Sequence, residues 1–300
     1  MNKKNIYADV GFLPQEETLE VQEGSKRLII GVPKETSFQE SRISLTPDAV
    51  SLLVANGHDI IIESKAGVEA NFIDKEYIDA GAEIVSSKDE VYTADIIVKV
   101  EPPTESEMDL LKRGQQLISA IQLHTRSKEY FEGLLSKDII AVAIEHIRDS
   151  EKKLVLLRSM SEIAGNTSLL IASEYLSNAR LGKGLMLGGL TGIAPTEVVV
   201  IGAGTVGEYA CRTAIGLGSN VSVFDTSLSR LRRLQQLTDR RVSTYIIDST
   251  NLRNALKRAD VVIGALRSGD GRTPCVVDTD MVKEMQEGSV IIDSRIVSAI

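Results

Sequence analysis

Tryptophan is absent from this 300-residue sequence, and aromatic residues of all kinds make up 4% of it. So few flat rings argue against a surface built to stack bases or sugars. Cysteine is scarce as well: Cys211 and Cys275 form no CxxC pair and have no nearby histidine. That excludes a disulfide framework, fits a reducing compartment and offers no metal site. No apolar run approaches the ~20 residues needed to span a bilayer. Lys3 and Lys4 are followed by polar and acidic residues, not by the apolar stretch of a secretory signal. A soluble, cytoplasmic protein is therefore expected. An excess of positive charge is missing too, with 34 Lys and Arg against 42 Asp and Glu and a formal net charge of -8. Such a field repels phosphate backbones and anionic lipid, so neither nucleic acid nor membrane is an expected partner.

What is present is ordinary globular composition, 43% hydrophobic and 25% charged, in a chain long enough for two domains with cores of their own. Residues 1–26 are polar and acidic and read as an extension. From Leu28 onward, short apolar runs alternate with helical patterns. Strands are expected at 28–33, 59–63, 83–85, 94–100, 116–121 and 139–144. Helices are expected after Thr46-Pro47, over 77–80, 107–113 and 130–137. This alternation points to a parallel sheet, and strands that are apolar throughout fit a sheet covered on both faces. Asp149-Ser150-Glu151-Lys152-Lys153 is a polar turn. A long helix over 159–178 follows, with Ile163, Leu169, Leu170, Ala172 and Tyr175 available for its buried face. Strands resume at 198–201, 221–224, 243–247, 261–264 and 289–293. The fold class is α/β, two Rossmann-like domains with a cleft between them: a first domain over 27–153 and a second over 154–300.

The most informative segment is Val198-Val199-Val200-Ile201 running into Gly202-Ala203-Gly204-Thr205-Val206-Gly207. The first glycine permits a tight turn, the second lets backbone approach a pyrophosphate, and the third lets helix and strand pack closely. The helix that follows presents free N–H groups and a positive dipole to phosphates. A GxGxxG alone is weak evidence. Here it lies between an expected strand and an expected helix, and the next strand, Val221 to Phe224, ends in Asp225. A carboxylate there can accept from both ribose hydroxyls and repels a 2′-phosphate, so NAD is expected in preference to NADP. Arg230 can reach the adenosine side, whereas Arg232 and Arg233 read as a solvated helix face. Cys211 reads as core, His58 as a surface position after a helix-stop glycine, and His146, beyond a strand, has no partner in sequence.

Together with earlier segments, this loop resembles the alanine dehydrogenase and transhydrogenase alpha-subunit family, nearest its dehydrogenase branch. The pieces, in order, are Gly31-Val32-Pro33-Lys34-Glu35, Arg42-Ile43-Ser44-Leu45-Thr46-Pro47, Asn56-Gly57-His58, Met160-Ser161-Glu162-Ile163-Ala164-Gly165, Gly188-Gly189-Leu190-Thr191-Gly192, the Val199–Gly207 fingerprint and Ala259-Asp260-Val261-Val262-Ile263-Gly264-Ala265. The resemblance implies a substrate-holding first domain and a nucleotide-holding second. It implies the reaction of L-alanine, NAD and water to pyruvate, ammonium and NADH, in a homo-oligomer, often a hexamer. Cofactor contacts are then expected at Ser161, Gly202, Gly204, Thr205, Val206, Gly207, Asp225, Arg230 and Leu266. Arg42 takes the place of the family's substrate-binding arginine, and a guanidinium fork suits a carboxylate.

Three departures qualify that expectation. The family's Lys-Val-Lys-Glu-Pro is here Lys99-Val100-Glu101-Pro102-Pro103, so Glu101 stands at the substrate-binding lysine and Lys99 remains two positions earlier. The family's catalytic histidine aligns with Gln122, and His124 follows two positions later. The catalytic aspartate aligns with Val297, and the C-terminal segment that returns to the first domain in the family is expected to be missing, the last seven residues being foreign to the fold. Arg42, Lys99 and Gln122 are the candidates for the substrate side. A transhydrogenase-type nucleotide-binding protein and a non-catalytic nucleotide-binding remnant stay open as alternatives.

Overall fold

The computed structural model describes residues 27–38, 40–123, 126–266 and 275–293. The extension over 1–26, His124 and Val297 lie outside the described residues. The first half of the chain runs β1 (Ile29–Val32), α1 (Pro47–Ala55), β2 (Asp59–Glu63), α2 (Asp74–Asp79), β3 (Glu83–Val85), α3 (Lys88–Val91), β4 (Ile96–Val98), α4 (Glu105–Leu110), β5 (Gln116–Ser119), α5 (Lys128–Ser136) and β6 (Ile140–Ala143). Its strands form one sheet in the order β3-β2-β1-β4-β5-β6. Then come the long helix α6 (Val155–Ser177), β7 (Glu197–Ile201), α7 (Thr205–Gly216), β8 (Asn220–Asp225), α8 (Leu228–Leu237), β9 (Ser243–Ile246), α9 (Ser249–Leu256), β10 (Val261–Gly264), α10 (Thr279–Lys283) and β11 (Val290–Asp293). These strands form a second, separate sheet in the order β11-β10-β7-β8-β9. The pairings are parallel, with Val198 of β7 opposite both Val221 of β8 and Val261 of β10. Parallel neighbours need crossovers, and the intervening helices supply them.

By packing, the chain divides into two compact units. One is built on residues up to Lys34 together with Ser41–Val98, the other on Glu35–Glu40 together with Lys99 onward. In the first unit Thr46 caps α1, its hydroxyl accepting from Ala49 N–H at 3.4 Å, and proline takes the first helical position. In the second unit the core lies on both faces of the five-stranded sheet. Val198, Val200, Val221, Val223, Val261 and Ile263 face α6 and α7 residues, among them Cys211, which is fully buried as expected. Val199, Ile201, Phe224 and Val262 face Leu252, Leu256 and Met281.

Several local expectations need correction. Helix α3 sits where no element was expected. α6 starts at Val155, four residues early, so Ser161 lies in its second turn. The buried face of α6 is Leu157, Gly165, Ser168, Leu169, Ala172 and Leu176, while Ile163, Leu170 and Tyr175 are exposed. The phase of the helix is set by its small residues, because only those let α7 come close. A Cβ on Gly165 would lie 2.5 Å from Val206 O. The edge strands β6 and β9 are not covered on both faces: Ile140, Val142, Tyr245 and Ile246 are exposed.

Candidate functional site

Strand order places one site in the second sheet. β7 is flanked by β8 on one side and β10 on the other, and the chain leaves β7 in opposite directions across the sheet. At such a switch point the loops beyond the strand carboxyl ends open a crevice, which is where ligands bind in folds of this kind. The loop Gly202–Gly204 leaves β7 there, and Ala265-Leu266 leaves β10 beside it. Gly202 has a φ of 116°, a region that favours glycine, and a Cβ on it would lie 2.5 Å from Ala265 O and 3.0 Å from Leu266 N. Leu266 is therefore placed on the far wall of the same crevice. A Cβ on Gly207 would run into Gly202 O, so this glycine lets α7 seat on the strand. Gly204 is different: it precedes the first helical residue, and a Cβ there would meet nothing within 4 Å. The space in front of Gly204, Thr205 and Val206 is open, at the end of a helix where backbone N–H groups lack intrahelical acceptors.

Asp225 closes β8 and is buried. Its Oδ2 accepts from Ala203 N–H at 2.7 Å and its Oδ1 from Ser227 N–H at 2.7 Å. The carboxylate thereby ties the glycine loop to the next strand, and an ionised carboxylate has further lone pairs to offer. Arg230 Nη1 stands 3.9 Å from Asp225 Oδ2 and is largely exposed. Arg233 is exposed on its helix face as expected, and it also bonds the buried Glu208 carboxylate at 2.8 Å, as Arg212 does from one turn along α7. Arg232 is exposed. Ser161 Oγ donates to Leu157 O at 2.7 Å. Of the histidines, His146 is exposed and His58 is half-buried.

The first sheet has its own switch point, between β1 and β4. Arg42 lies half-buried in the loop from β1 to α1. Lys99, directly after β4, points inward with no exposed side chain; its Nζ donates to Glu107 Oε2 at 2.8 Å and stands 3.3 Å from Glu35 Oε2. Glu107 Oε2 also accepts from Thr104 N–H at 2.9 Å, while Thr104 Oγ1 accepts from Glu107 N–H at 3.3 Å, a capping box. Glu35 Oε1 accepts from Val100 N–H at 2.6 Å. Sequence reading did not single out Glu35 and Glu107, although Thr104-x-x-Glu107 is a legible capping pattern.

Burial pushes the Glu35 carboxyl above its ordinary value, against the pull of the Lys99 cation. The folded chain thus holds that proton more tightly than the unfolded chain does. Stability from this group is present below the ordinary carboxylate value, about 4, and is lost as pH rises through the raised one. Urea unfolding over a pH series is expected to show Glu35→Gln removing that downward slope. An unchanged slope would rule the assignment out.

Gln122 is buried at the carboxyl edge of β5, with a φ of 52°. Its N–H donates to Glu145 Oε1 at 2.8 Å, and its Nε2 donates to Glu101 Oε2 at 3.1 Å. Glu101 and Gln122, two of the departures expected from the family pattern, are thus bonded to each other, which the sequence alone did not reveal.

Family models match both halves of the chain: "Alanine dehydrogenase/PNT, N-terminal domain" over residues 31–164 and "Alanine dehydrogenase/PNT, C-terminal domain" over 168–297. The chain belongs to the alanine dehydrogenase/PNT family. It is 39% identical over 270 residues to an alanine dehydrogenase of Methanococcus maripaludis, covering 90% of this chain and 72% of that protein. It is 37% identical over 267 residues to alanine dehydrogenase 2 of Staphylococcus aureus, covering 89% and 72%. Among solved structures, an L-alanine dehydrogenase matches with a TM-score of 0.83 at 37% identity, over 89% of this chain and 73% of the other. A transhydrogenase from Sinorhizobium meliloti matches with a TM-score of 0.76 at 25% identity, over 88% and 77%. Two parallel sheets with crossover helices are the architecture this family membership calls for. Among the described residues, no helix is long and apolar enough to cross a membrane.

Proposed function

We propose that the chain is an NAD-dependent amino-acid oxidoreductase that converts L-alanine, NAD and water to pyruvate, ammonium and NADH. The observation that carries this reading is the open glycine loop at the β7 switch point in a chain of this family. The residues present fit the nucleotide. Gly204 leaves room for a pyrophosphate where a Cβ would stand, the α7 N-terminus faces that room, and Asp225 holds unused acceptor capacity beside it. NAD, when bound, supplies the hydride acceptor.

The chain's own residues do the rest. Backbone N–H groups of Gly204, Thr205 and Val206 would hold the pyrophosphate, and Asp225, with Arg230 alongside and Leu266 on the opposite wall, would hold the adenosine ribose. Ser161, on the α6 face near α7, contributes from the helix. Arg42 pairs with the substrate carboxylate, since a buried carboxylate without a cation costs several kcal/mol. The domain division that goes with this reading is 27–153 for substrate and 154–300 for nucleotide, preceded by an extension over 1–26. The assembly is a homo-oligomer acting in the cytoplasm.

The test has two arms: NADH formation with L-alanine at alkaline pH, and titration with NADH and NADPH. Turnover with NAD is expected to be slow, since Gln122 cannot act as a general base as an imidazole does, and NADH is expected to bind at least about tenfold tighter than NADPH, because the Asp225 carboxylate repels a 2′-phosphate. NADPH binding as tight as NADH would overturn the cofactor assignment. Hydride exchange between nucleotides with no amino-acid oxidation would support a transhydrogenase-type role instead.

A further inference from the structure

The carboxyl edge of the first sheet carries a pair that the nucleotide site does not use. Glu101 lies three residues past β4 and Gln122 three past β5, on neighbouring strands. Gln122 holds a left-handed backbone, φ 52°, without being glycine. Such strain persists only where the surroundings over-determine it, and it gathers at working sites. Here the surroundings are Glu145, whose carboxylate accepts from Ile121 N–H at 3.0 Å and from Gln122 N–H at 2.8 Å. The Gln122 amide is in turn fixed by its 3.1 Å bond to Glu101 Oε2. An ionised carboxylate only accepts, so the Nε2 end must be the one that faces it. The strained backbone, the clamp and the pinned amide together hold the half-buried Glu101 carboxylate against Gln122.

Helix α6 brings that edge close to the glycine loop. Met160 packs against the Ala120–Leu157 pair, and Ala120 follows directly on β5. Five residues along, Gly165 packs against Val206 O. At 1.5 Å per residue these two contacts are roughly 7.5 Å apart along one rigid helix.

We propose that Glu101 binds the α-ammonium of the amino-acid substrate, with Gln122 as the positioning residue that orients it. The proposal rests on the oxidoreductase reading above. An anion at this place attracts the one cationic group of a zwitterionic amino acid and repels its carboxylate. The bond from the Gln122 amide fixes the position of the Glu101 carboxylate as a partner for ammonium. The pair therefore selects amines over 2-hydroxy acids and simple carboxylic acids of the same size.

The experiment is calorimetric titration of the NADH-saturated chain, which cannot turn over L-alanine, with L-alanine and with propionate. The wild-type chain is expected to bind L-alanine more tightly than propionate. Glu101→Gln is expected to weaken L-alanine by roughly 10–100-fold, the range for a charge-assisted hydrogen bond, and to leave propionate unchanged or tighter. Gln122→Met is expected to move the same ratio in the same direction by less, with NADH affinity unaltered. An E101Q chain that keeps the wild-type ratio of the two affinities, or loses both ligands equally, overturns the proposal. Failure of the wild-type chain to bind NADH, or to oxidise L-alanine with NAD, overturns the oxidoreductase reading instead. A wild-type chain that oxidises L-alanine but binds it no better than propionate overturns the role of Glu101 alone.

Discussion

Replacing Lys99 by methionine is expected to lower the stability of the chain by about 3–5 kcal/mol, the range for removing one partner from a buried ion pair. The two side chains have similar length, so packing is largely kept and the loss is one of charge. Lys99 Nζ is the cation that faces both Glu107, at 2.8 Å, and Glu35, at 3.3 Å, and the two carboxylates are 1% and 5% exposed. Without it, two buried acids face each other. Burial already pushes the Glu35 carboxyl up, and losing Lys99 would push it further. The expected response is partial unfolding at neutral pH, eased at low pH where the acids are neutral. Adding Glu107→Gln and Glu35→Gln to the methionine variant is expected to recover most of the loss, because an uncharged cluster of the same volume needs no counter-ion. Urea unfolding followed by circular dichroism reads all of this. A single-variant loss below about 1 kcal/mol, with a raised KM for L-alanine, would move Lys99 from the fold to the substrate.

That expectation marks where sequence reading reached and where it stopped. The strands β1, β2, β3, β7, β8 and β10 were legible to within a residue or so, because their apolar runs are bounded by proline, glycine or charge. The glycine loop was legible because its three glycines have separate steric duties: Gly202 lies against Ala265 O, Gly207 against Gly202 O, and Gly204 stands open. The phase of α6 was not legible. Ile163 and Tyr175 are more apolar than Gly165 and Ser168, yet the close approach of α7 selects the small residues for the buried face. The direction of Lys99 was not legible either. Period two places it on one face with Glu101, but the residue after a strand end no longer obeys the pleat. Its partners Glu35 and Glu107 come from 64 positions before and 8 after. The Glu101–Gln122 bond depends on a left-handed glutamine, which no local pattern announces. Separately, the two positions look like losses from the family pattern; bonded to each other, they look like a replacement.

The glycine loop allows fold and binding to be separated within one helical turn, and the second large effect is expected there. Gly207→Ala is expected to destabilise the chain by about 3 kcal/mol, at the upper end of overpacking costs, because the new methyl meets Gly202 O, a backbone atom that cannot rotate away. α7 would have to lift from β7, and NADH binding would fall with the fold. Gly204→Ala adds the same methyl three residues earlier. There the backbone, φ -76° and ψ -168°, is open to any residue, and the added Cβ meets nothing within 4 Å. Its stability cost is expected to stay near 1 kcal/mol or less, that of alanine at a helix N-cap. Yet its methyl occupies the room in which a pyrophosphate would approach the helix N-terminus, so NADH affinity is expected to drop at least about tenfold. Melting curves and NADH fluorescence titrations on the two variants, side by side, give the comparison. A Gly204→Ala chain that binds NADH as the wild type does would remove the pyrophosphate from this loop. A Gly207→Ala chain as stable as the wild type would show that α7 has freedom to retreat that the tight seat on β7 denies it.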